Sequence, residues 1–157
     1  MKIKIILIGK TNASFIKEGC EFYLKKIKHY CNIEYHEIPD LKQTKNISIN
    51  EQKIKEGKLI LQKIQSSDTL TLLDEKGKTY SSIEFSKYIN NHLLSSVKQL
   101  IFVIGGPYGF SDEVYKRSDA LISLSAMTFS HQMVRLFFLE QIYRGFTILH
   151  NEPYHHS

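Results

Sequence analysis

The sequence predicts an α/β fold, with a mostly parallel sheet that helices cover on both faces. Short apolar runs recur along the 157 residues, and longer stretches with helical periodicity separate them. Such alternation is typical of βαβ units. The runs are apolar at nearly every position, which indicates strands that are buried on both faces. The predicted strands are residues 3–8, 33–38, 69–73, 100–104 and 120–124.

Four helices are predicted from the same periodicity. Apolar residues at positions 16, 20, 23, 24 and 27 fall on one face of a first helix. A second helix covers residues 54–64 and carries lysines and glutamates on its outer face, and a third covers residues 83–93. The last helix is predicted over residues 130–149 with Ser130 as its N-cap. The polar segment 39–50 predicts a loop.

Composition and charge set the class of protein. We expect one domain, residues 1–157, whose core is large enough to fold unaided. The apolar N-terminal stretch is too short for a signal sequence and no run reaches about 18 apolar residues, so we expect no membrane association. Cys20 and Cys31 have no partners at a metal-ligand spacing, so we expect no metal, and two thiols fit a reducing cytoplasm. The net charge of +5 is compatible with a polyanionic partner, and a lysine-rich genome would give the same excess.

Three loops follow predicted strands at the edge where open α/β sheets bind ligands. They are residues 74–77 (DEKG), the turn at Gly105 and Gly106, and residues 125–129 (SAMTF). The turn lacks the spacing of a P-loop or of a dinucleotide fingerprint. Two interpretations therefore stay open: a simple tight turn, or a backbone that approaches a ligand at Gly106. Asp74 and Glu75 are adjacent and would point apart, which makes them a poor carboxylate pair.

The segment 130–149 is apolar on most sides, which predicts burial against the core and against a second subunit. His131 and Arg135 are four residues apart and share a face near its start, whereas Glu140 and Arg144 can pair on the opposite face. Taken by itself, the spacing of the first pair favours a plainer interpretation, a capped helix end with a salt-bridged surface arginine.

The C-terminal sequence NEPYHHS also allows two interpretations. Tyr154, His155 and His156 form either a disordered end or a segment that closes over a substrate.

Three blocks of the sequence together carry a family resemblance: FVIGGPYGFS, LSAMTFSHQMVRLFFLEQIYRGF and NEPYHH. In this order, and with the opening MKIKIILIGK and the EIPD at residues 37–40, the chain resembles the RlmH family of the SPOUT methyltransferases from end to end. The resemblance implies a C-terminal trefoil knot and a homodimer. It also implies that the protein uses S-adenosyl-L-methionine to methylate N3 of a pseudouridine in helix 69 of 23S rRNA, on the assembled ribosome.

The resemblance also implies which residues form the site. The cofactor-binding positions would be Leu73, Gly105, Gly106, Leu124, Ser125, Ala126, Met127, Thr128 and Phe129.

The candidate substrate residues are five side chains of the last helix and the tail. A cation near the base would stabilise the anion that forms when N3 loses its proton, and Arg135 and His131 are the candidates. Arg144 is a third candidate, acting across a dimer interface, and Tyr154 and His155 could stack on or clamp the nucleoside. A non-catalytic RNA-binding ribosome factor and a SPOUT enzyme for another RNA remain the alternatives.

Overall fold

The computed structural model describes residues 1–42 and 44–156. Its strands are β1 (Lys2–Ile8), β2 (Asn32–Ile38), β3 (Thr69–Thr79), β4 (Gln99–Ile104) and β5 (Ala120–Ser123). Its α-helices are α1 (Ser14–Ile27), α2 (Ile49–Leu61), α3 (Ser82–Leu94), α4 (Asp112–Arg117) and α5 (Met133–Leu149). A 3-10 turn spans Thr44–Asn46.

The strands form one sheet in the order β2-β1-β4-β3-β5, and every adjacent pair is parallel. Ile5 in β1 lies opposite Tyr35 on one side and Phe102 on the other. The predicted α/β class with a parallel sheet is therefore confirmed.

The two faces of the sheet carry separate cores. Ile5 and Phe102 point to the face that α1, α3 and α5 cover, whereas Ile6 and Val103 point to the face that α2 and α4 cover. Successive residues of a strand face opposite sides, so an entirely apolar strand supplies both cores. The prediction of helices on both faces is confirmed.

The third strand differs from its prediction. β3 continues to Thr79, and its pairing with β5 shifts in register between Leu73 and Lys78. Residues 74–77 are thus an irregular stretch within a strand instead of a loop after it. At Gly77 a Cβ atom would lie 2.5 Å from the backbone nitrogen of Ile122, so only glycine fits this backbone contact. The trefoil knot that the resemblance implies stays a prediction.

Helix boundaries also differ from their predictions. α2 begins at Ile49, where Ser48 accepts a hydrogen bond from the Glu51 amide, and it ends at Leu61. The start of α2 shortens the loop predicted over residues 39–50, of which residue 43 lies outside the described residues. Residue 157 of the predicted domain lies outside them too.

The last helix starts later than predicted. α5 begins at Met133 because residues 130–132 form a preceding turn, in which the Ser130 Oγ accepts a hydrogen bond from the Met133 amide at 3.1 Å. Ser130 therefore still supplies an acceptor at the helix start. In the described ranges, none of the helices has the length and apolar character needed to cross a membrane.

Helix α5 lies between α1 and α3, and its apolar residues are used largely within the chain. Phe138 is fully buried, with its ring 4.9 Å from that of Phe102 and 5.9 Å from that of Phe85. Burial inside one chain thus explains most of the apolar pattern that had predicted a subunit interface. Phe137, next to it, is 41% exposed.

Candidate functional site

The carboxyl edge of β3, β4 and β5 holds a cleft of about 990 Å³. The three sequence segments that were expected to meet there all contribute to its wall. Every residue that the resemblance placed at the cofactor lines this one cleft: Leu73, Gly105, Gly106, Leu124, Ser125, Ala126, Met127, Thr128 and Phe129. The wall also holds His131 and the charged residues Lys53, Asp74, Glu75, Lys76 and Asp112.

The glycine turn is shaped by side chains behind it. A Cβ on Gly105 would lie 3.0 Å from the Phe110 ring, and one on Gly106 would lie 3.1 Å from a carboxylate oxygen of Glu56. The positive-φ glycines among the described residues are Gly9 and Gly109. The two glycines therefore make room for Phe110 and Glu56, and a side chain on Gly106 would first meet the Glu56 carboxylate. That the Gly106 backbone approaches a ligand stays a prediction.

Glu56 was not singled out by the sequence, which put the glutamates of α2 on its outer face. The structure buries this one, and its carboxylate accepts a hydrogen bond from the Gln52 amide nitrogen at 3.1 Å. Burial raises the pKa of Glu56, and the nearby Asp40 carboxylate raises it further. The burial of Glu56 could not be predicted from the local sequence pattern, because the glycine turn that it packs against lies some fifty residues later in the chain.

Asp74 is bound on both of its oxygens. Its Oδ1 accepts a hydrogen bond from the Lys76 amide at 2.8 Å, and its Oδ2 accepts one from the Tyr115 hydroxyl. Burial, together with the hydrogen bond to Asp74, raises the pKa of Tyr115 to about 12. Tyr115 also lines the cleft and was missed by the sequence analysis, since a tyrosine in a short helix gives no signal of its own.

The segment after β5 is held by two serines. The Ser123 hydroxyl donates to the Ser125 carbonyl at 3.0 Å, and the Ser125 Oγ accepts from the Met127 amide at 2.9 Å. Phe129 packs against Phe137 of α5 with ring centres 5.0 Å apart. This wall of the cleft is therefore a defined turn.

His131 and Arg135 have different surroundings. His131 is exposed and lines the cleft. Arg135 is fully buried, and its guanidinium donates to the Ile8 carbonyl at 2.8 Å and to the Gly9 carbonyl and the Thr11 hydroxyl at 2.9 Å. The interpretation of Arg135 as a surface arginine is wrong.

A second cluster lies around Arg144. Its Nη2 is 2.6 Å from Glu140 Oε1, so the predicted pair is confirmed. The Tyr154 hydroxyl donates to the same carboxylate oxygen at 3.0 Å, the Arg144 guanidinium lies 4.7 Å from the Tyr154 ring centre, and its Nη1 is 3.3 Å from His155 Nδ1. Burial and the hydrogen bonds with Tyr23 and Glu140 raise the pKa of Tyr154. We call Glu140, Arg144, Tyr154 and His155 the C-terminal cluster.

The tail is anchored to the helical layer. The Tyr30 hydroxyl of the α1–β2 turn donates to Glu152 at 2.6 Å, and the Tyr154 ring packs edge-on against Tyr143 at 4.8 Å. Residues 150–156 therefore do not form a disordered end. Of the two histidines that follow Tyr154, His155 is partly buried and His156 is exposed.

The C-terminal cluster and the cleft lie at opposite ends of α5. Nine residues separate Arg135 from Arg144, a rise of roughly 13 Å along a helix. Among the described residues that line the cleft, none comes from the C-terminal cluster. Within one chain, the predicted cofactor residues line the cleft, and most of the predicted substrate residues lie away from it.

Comparison with known proteins decides the family. A family model described as "Predicted SPOUT methyltransferase" matches residues 1–155. The chain belongs to the SPOUT methyltransferase family. It is 59% identical over 156 residues to a protein of Christiangramia forsetii, covering 99% of each chain, and 55% identical over 157 residues to one of Flavobacterium johnsoniae, covering all of both. A protein of Parabacteroides distasonis is 54% identical over the same length.

These three relatives are each named ribosomal RNA large subunit methyltransferase H, and the resemblance to the RlmH family is thereby confirmed. Membership of a methyltransferase family implies a methyl-donor cofactor. In residues 1–42 and 44–156, no group of three or more His, Cys, Asp or Glu side chains is placed to hold a metal ion.

Proposed function

We propose that this protein transfers the methyl group of S-adenosyl-L-methionine to N3 of a pseudouridine in helix 69 of 23S rRNA, on the assembled ribosome in the cytoplasm. One observation carries the proposal. All nine residues that the family resemblance assigns to the cofactor line a single cleft at the carboxyl edge of the sheet, in a chain of the same length as ribosomal RNA methyltransferases that are 54–59% identical to it.

The cleft suits a nucleoside cofactor. Its volume is at the upper end of the range for small-molecule sites. Apolar side chains such as Leu73 and Leu124 face a turn of two glycines, and exposed backbone N–H and C=O groups beside an apolar wall match the polar edge and flat faces of an adenine.

When bound, S-adenosyl-L-methionine supplies a methyl group that is already activated on a positive sulfur. The protein has to hold N3 in line with the bond to that methyl group and to favour loss of the N3 proton. His131 lies at the cleft and can donate a hydrogen bond to the base as the proton leaves. Arg135 acts through position instead, because its Nε donates to the His131 carbonyl at 3.2 Å while its other donors hold the end of β1.

The C-terminal cluster enters this reaction if a second copy supplies it. We propose a homodimer in which Arg144, Tyr154 and His155 of one protomer reach the cleft of the other, since they cannot reach their own. Arg144 then supplies the cation beside the developing anion, and Tyr154 and His155 position the nucleoside.

An apolar surface beside the cluster supports such a dimer. Phe15 and Phe22 of α1 are 63% and 54% exposed and lie on one side of the helix. Between them, Gly19 lets α1 approach Leu136 of α5, since a Cβ there would lie 2.7 Å from that side chain. The surface around Phe15 and Phe22 is a candidate dimer interface. An interface there does not involve Phe138, which stays buried in the core of its own chain.

The proposal is tested by two measurements on the same protein. Titration calorimetry with S-adenosyl-L-methionine should give saturable binding, and methyl transfer to ribosomes that lack the modification should place the methyl group on N3 of the pseudouridine. Free 23S rRNA is the control substrate and should react far more slowly. Absence of cofactor binding at millimolar concentration would leave a non-catalytic RNA-binding factor, and a methyl group at another base would leave a SPOUT enzyme for another RNA.

A further inference from the structure

The contact between Asp74 and Tyr115 joins two walls of the cleft that are distant in sequence. Asp74 stands at the irregular stretch of β3, and Tyr115 stands on α4, after the glycine turn. Both residues line the cleft. Their hydrogen bond therefore spans from one wall to the other.

Contacts continue from Tyr115 to the glycine turn itself. The Tyr115 ring packs edge-on against Phe110 with ring centres 5.7 Å apart, and the Phe110 ring occupies the space beside Gly105. Helix α4 holds Tyr115 from behind, because its neighbour Val114 is fully buried and the Tyr115 amide donates to the Ser111 carbonyl at 3.1 Å. A shift of the Tyr115 side chain would thus move the turn.

The Asp74 carboxylate uses both of its oxygens in this hydrogen-bond arrangement. Its second oxygen accepts the Lys76 amide, so both carboxylate oxygens already hold protein groups. The Tyr115 hydroxyl remains protonated throughout the neutral range and is a permanent donor to the carboxylate. A hydrogen bond to an ionised acceptor is stronger than one between neutral groups.

We infer that the Tyr115–Asp74 hydrogen bond is a latch that fixes the width of the cofactor cleft, with Tyr115 as a positioning residue for S-adenosyl-L-methionine. The inference rests on the proposed function, because it takes the cleft to be the cofactor site. The latch shapes the cleft without contacting the sulfonium, so it serves the cofactor and its demethylated product alike.

The test is Tyr115→Phe, which removes the hydroxyl and keeps the ring. Its matched control is Tyr88→Phe, because the Tyr88 hydroxyl is also partly buried and lies 2.6 Å from the Thr71 hydroxyl, away from the cleft. Calorimetry should show Tyr115→Phe weakening S-adenosyl-L-methionine and S-adenosylhomocysteine by a similar factor of about ten, the scale of a lost hydrogen bond to a charged group. Tyr88→Phe should lower the melting temperature and leave both affinities unchanged.

Kinetics and a second variant separate the outcomes. Tyr115→Phe should raise KM for the cofactor by more than it lowers kcat. Asp74→Ala should add little to it in the double variant, because either change alone removes the hydrogen bond of the latch. Unchanged affinities in Tyr115→Phe, or a loss confined to S-adenosyl-L-methionine, would overturn the latch. If the wild-type protein itself binds neither ligand, the proposed function fails instead.

Discussion

The two arginines of α5 differ in every respect that matters for function, although both are candidate cations in the sequence. Arg135 has no exposed surface, and its guanidinium holds the carbonyl groups of Ile8 and Gly9 at the end of β1. Arg144 keeps a quarter of its side chain exposed and bonds to Glu140, one turn earlier, and to the tail. Arg135 therefore stabilises the fold, whereas Arg144 keeps a charged group partly exposed at the surface.

The difference follows from what surrounds each end of the helix. The carboxyl end of β1 leaves backbone carbonyls inside the protein, and such groups need donors. The planar fork of an arginine carries five N–H donors in a fixed geometry and reaches several acceptors at once, whereas a lysine ends in a compact ammonium with three donors. Near the other end of α5, Arg144 bonds to Glu140 and to His155 of the tail and keeps a quarter of its side chain exposed, so it remains available to a ligand.

Replacing Arg135 should have the largest effect on stability. We expect Arg135→Ala to lower the free energy of unfolding by about 3–5 kcal/mol, because it leaves buried carbonyls without a donor. Arg135→Lys is the control and should lose less, since a charge and one or two hydrogen bonds remain. Urea denaturation measures both, and a near-native stability with lost methyl transfer would restore Arg135 as a direct substrate contact.

Replacing Arg144 should act on catalysis instead. We expect Arg144→Ala to reduce single-turnover methylation of ribosomes by roughly a hundredfold, because a charge aimed at the developing anion is lost. Its cofactor affinity should stay at the wild-type value.

Mixing subunits then tests where Arg144 acts. A cleft variant such as Gly106→Val, in which the new side chain would collide with Glu56, should be inactive for a different reason. Mixed dimers of the two variants should regain activity, since one of their two sites combines an intact cleft with an intact C-terminal cluster. Failure to regain activity, with mixed dimers shown by sedimentation, would contradict a site built from two protomers.

The smallest effect is expected in the tail. His155→Ala should lower methyl transfer by roughly tenfold to a hundredfold, the scale of a positioning contact. His156→Ala is the matched control and should be neutral, because that neighbouring histidine is exposed and outside the cluster. Removal of residues 153–157 should resemble His155→Ala or exceed it, as Tyr154 is lost too. Full activity of the truncated protein would show that the tail contributes only to packing.

The elements of the fold could be predicted because their signals are local. Four of the five predicted strands match within one residue at each end, since short runs in which apolar residues fill most or alternate positions mark strands when polar segments bound them. β3 was cut short because its last six residues are mostly polar. Of these, Lys78 and Thr79 pair with β5 at the edge of the sheet, after the register shift. The start of α5 was placed early because Ser130 has the chemistry of a cap whether it lies at the helix start or in a turn just before it.

The sequence by itself determined the parallel α/β class, the edge where the cleft forms and the segments that line it, because each depends on patterns within about ten residues. Only the tertiary structure decided what individual polar side chains do there. Arg135 meets carbonyl groups 126 residues earlier in the chain, and Tyr115 meets Asp74 41 residues earlier. Whether a charge is buried or presented depends on which distant backbone packs against it, and that is fixed only when the chain has folded.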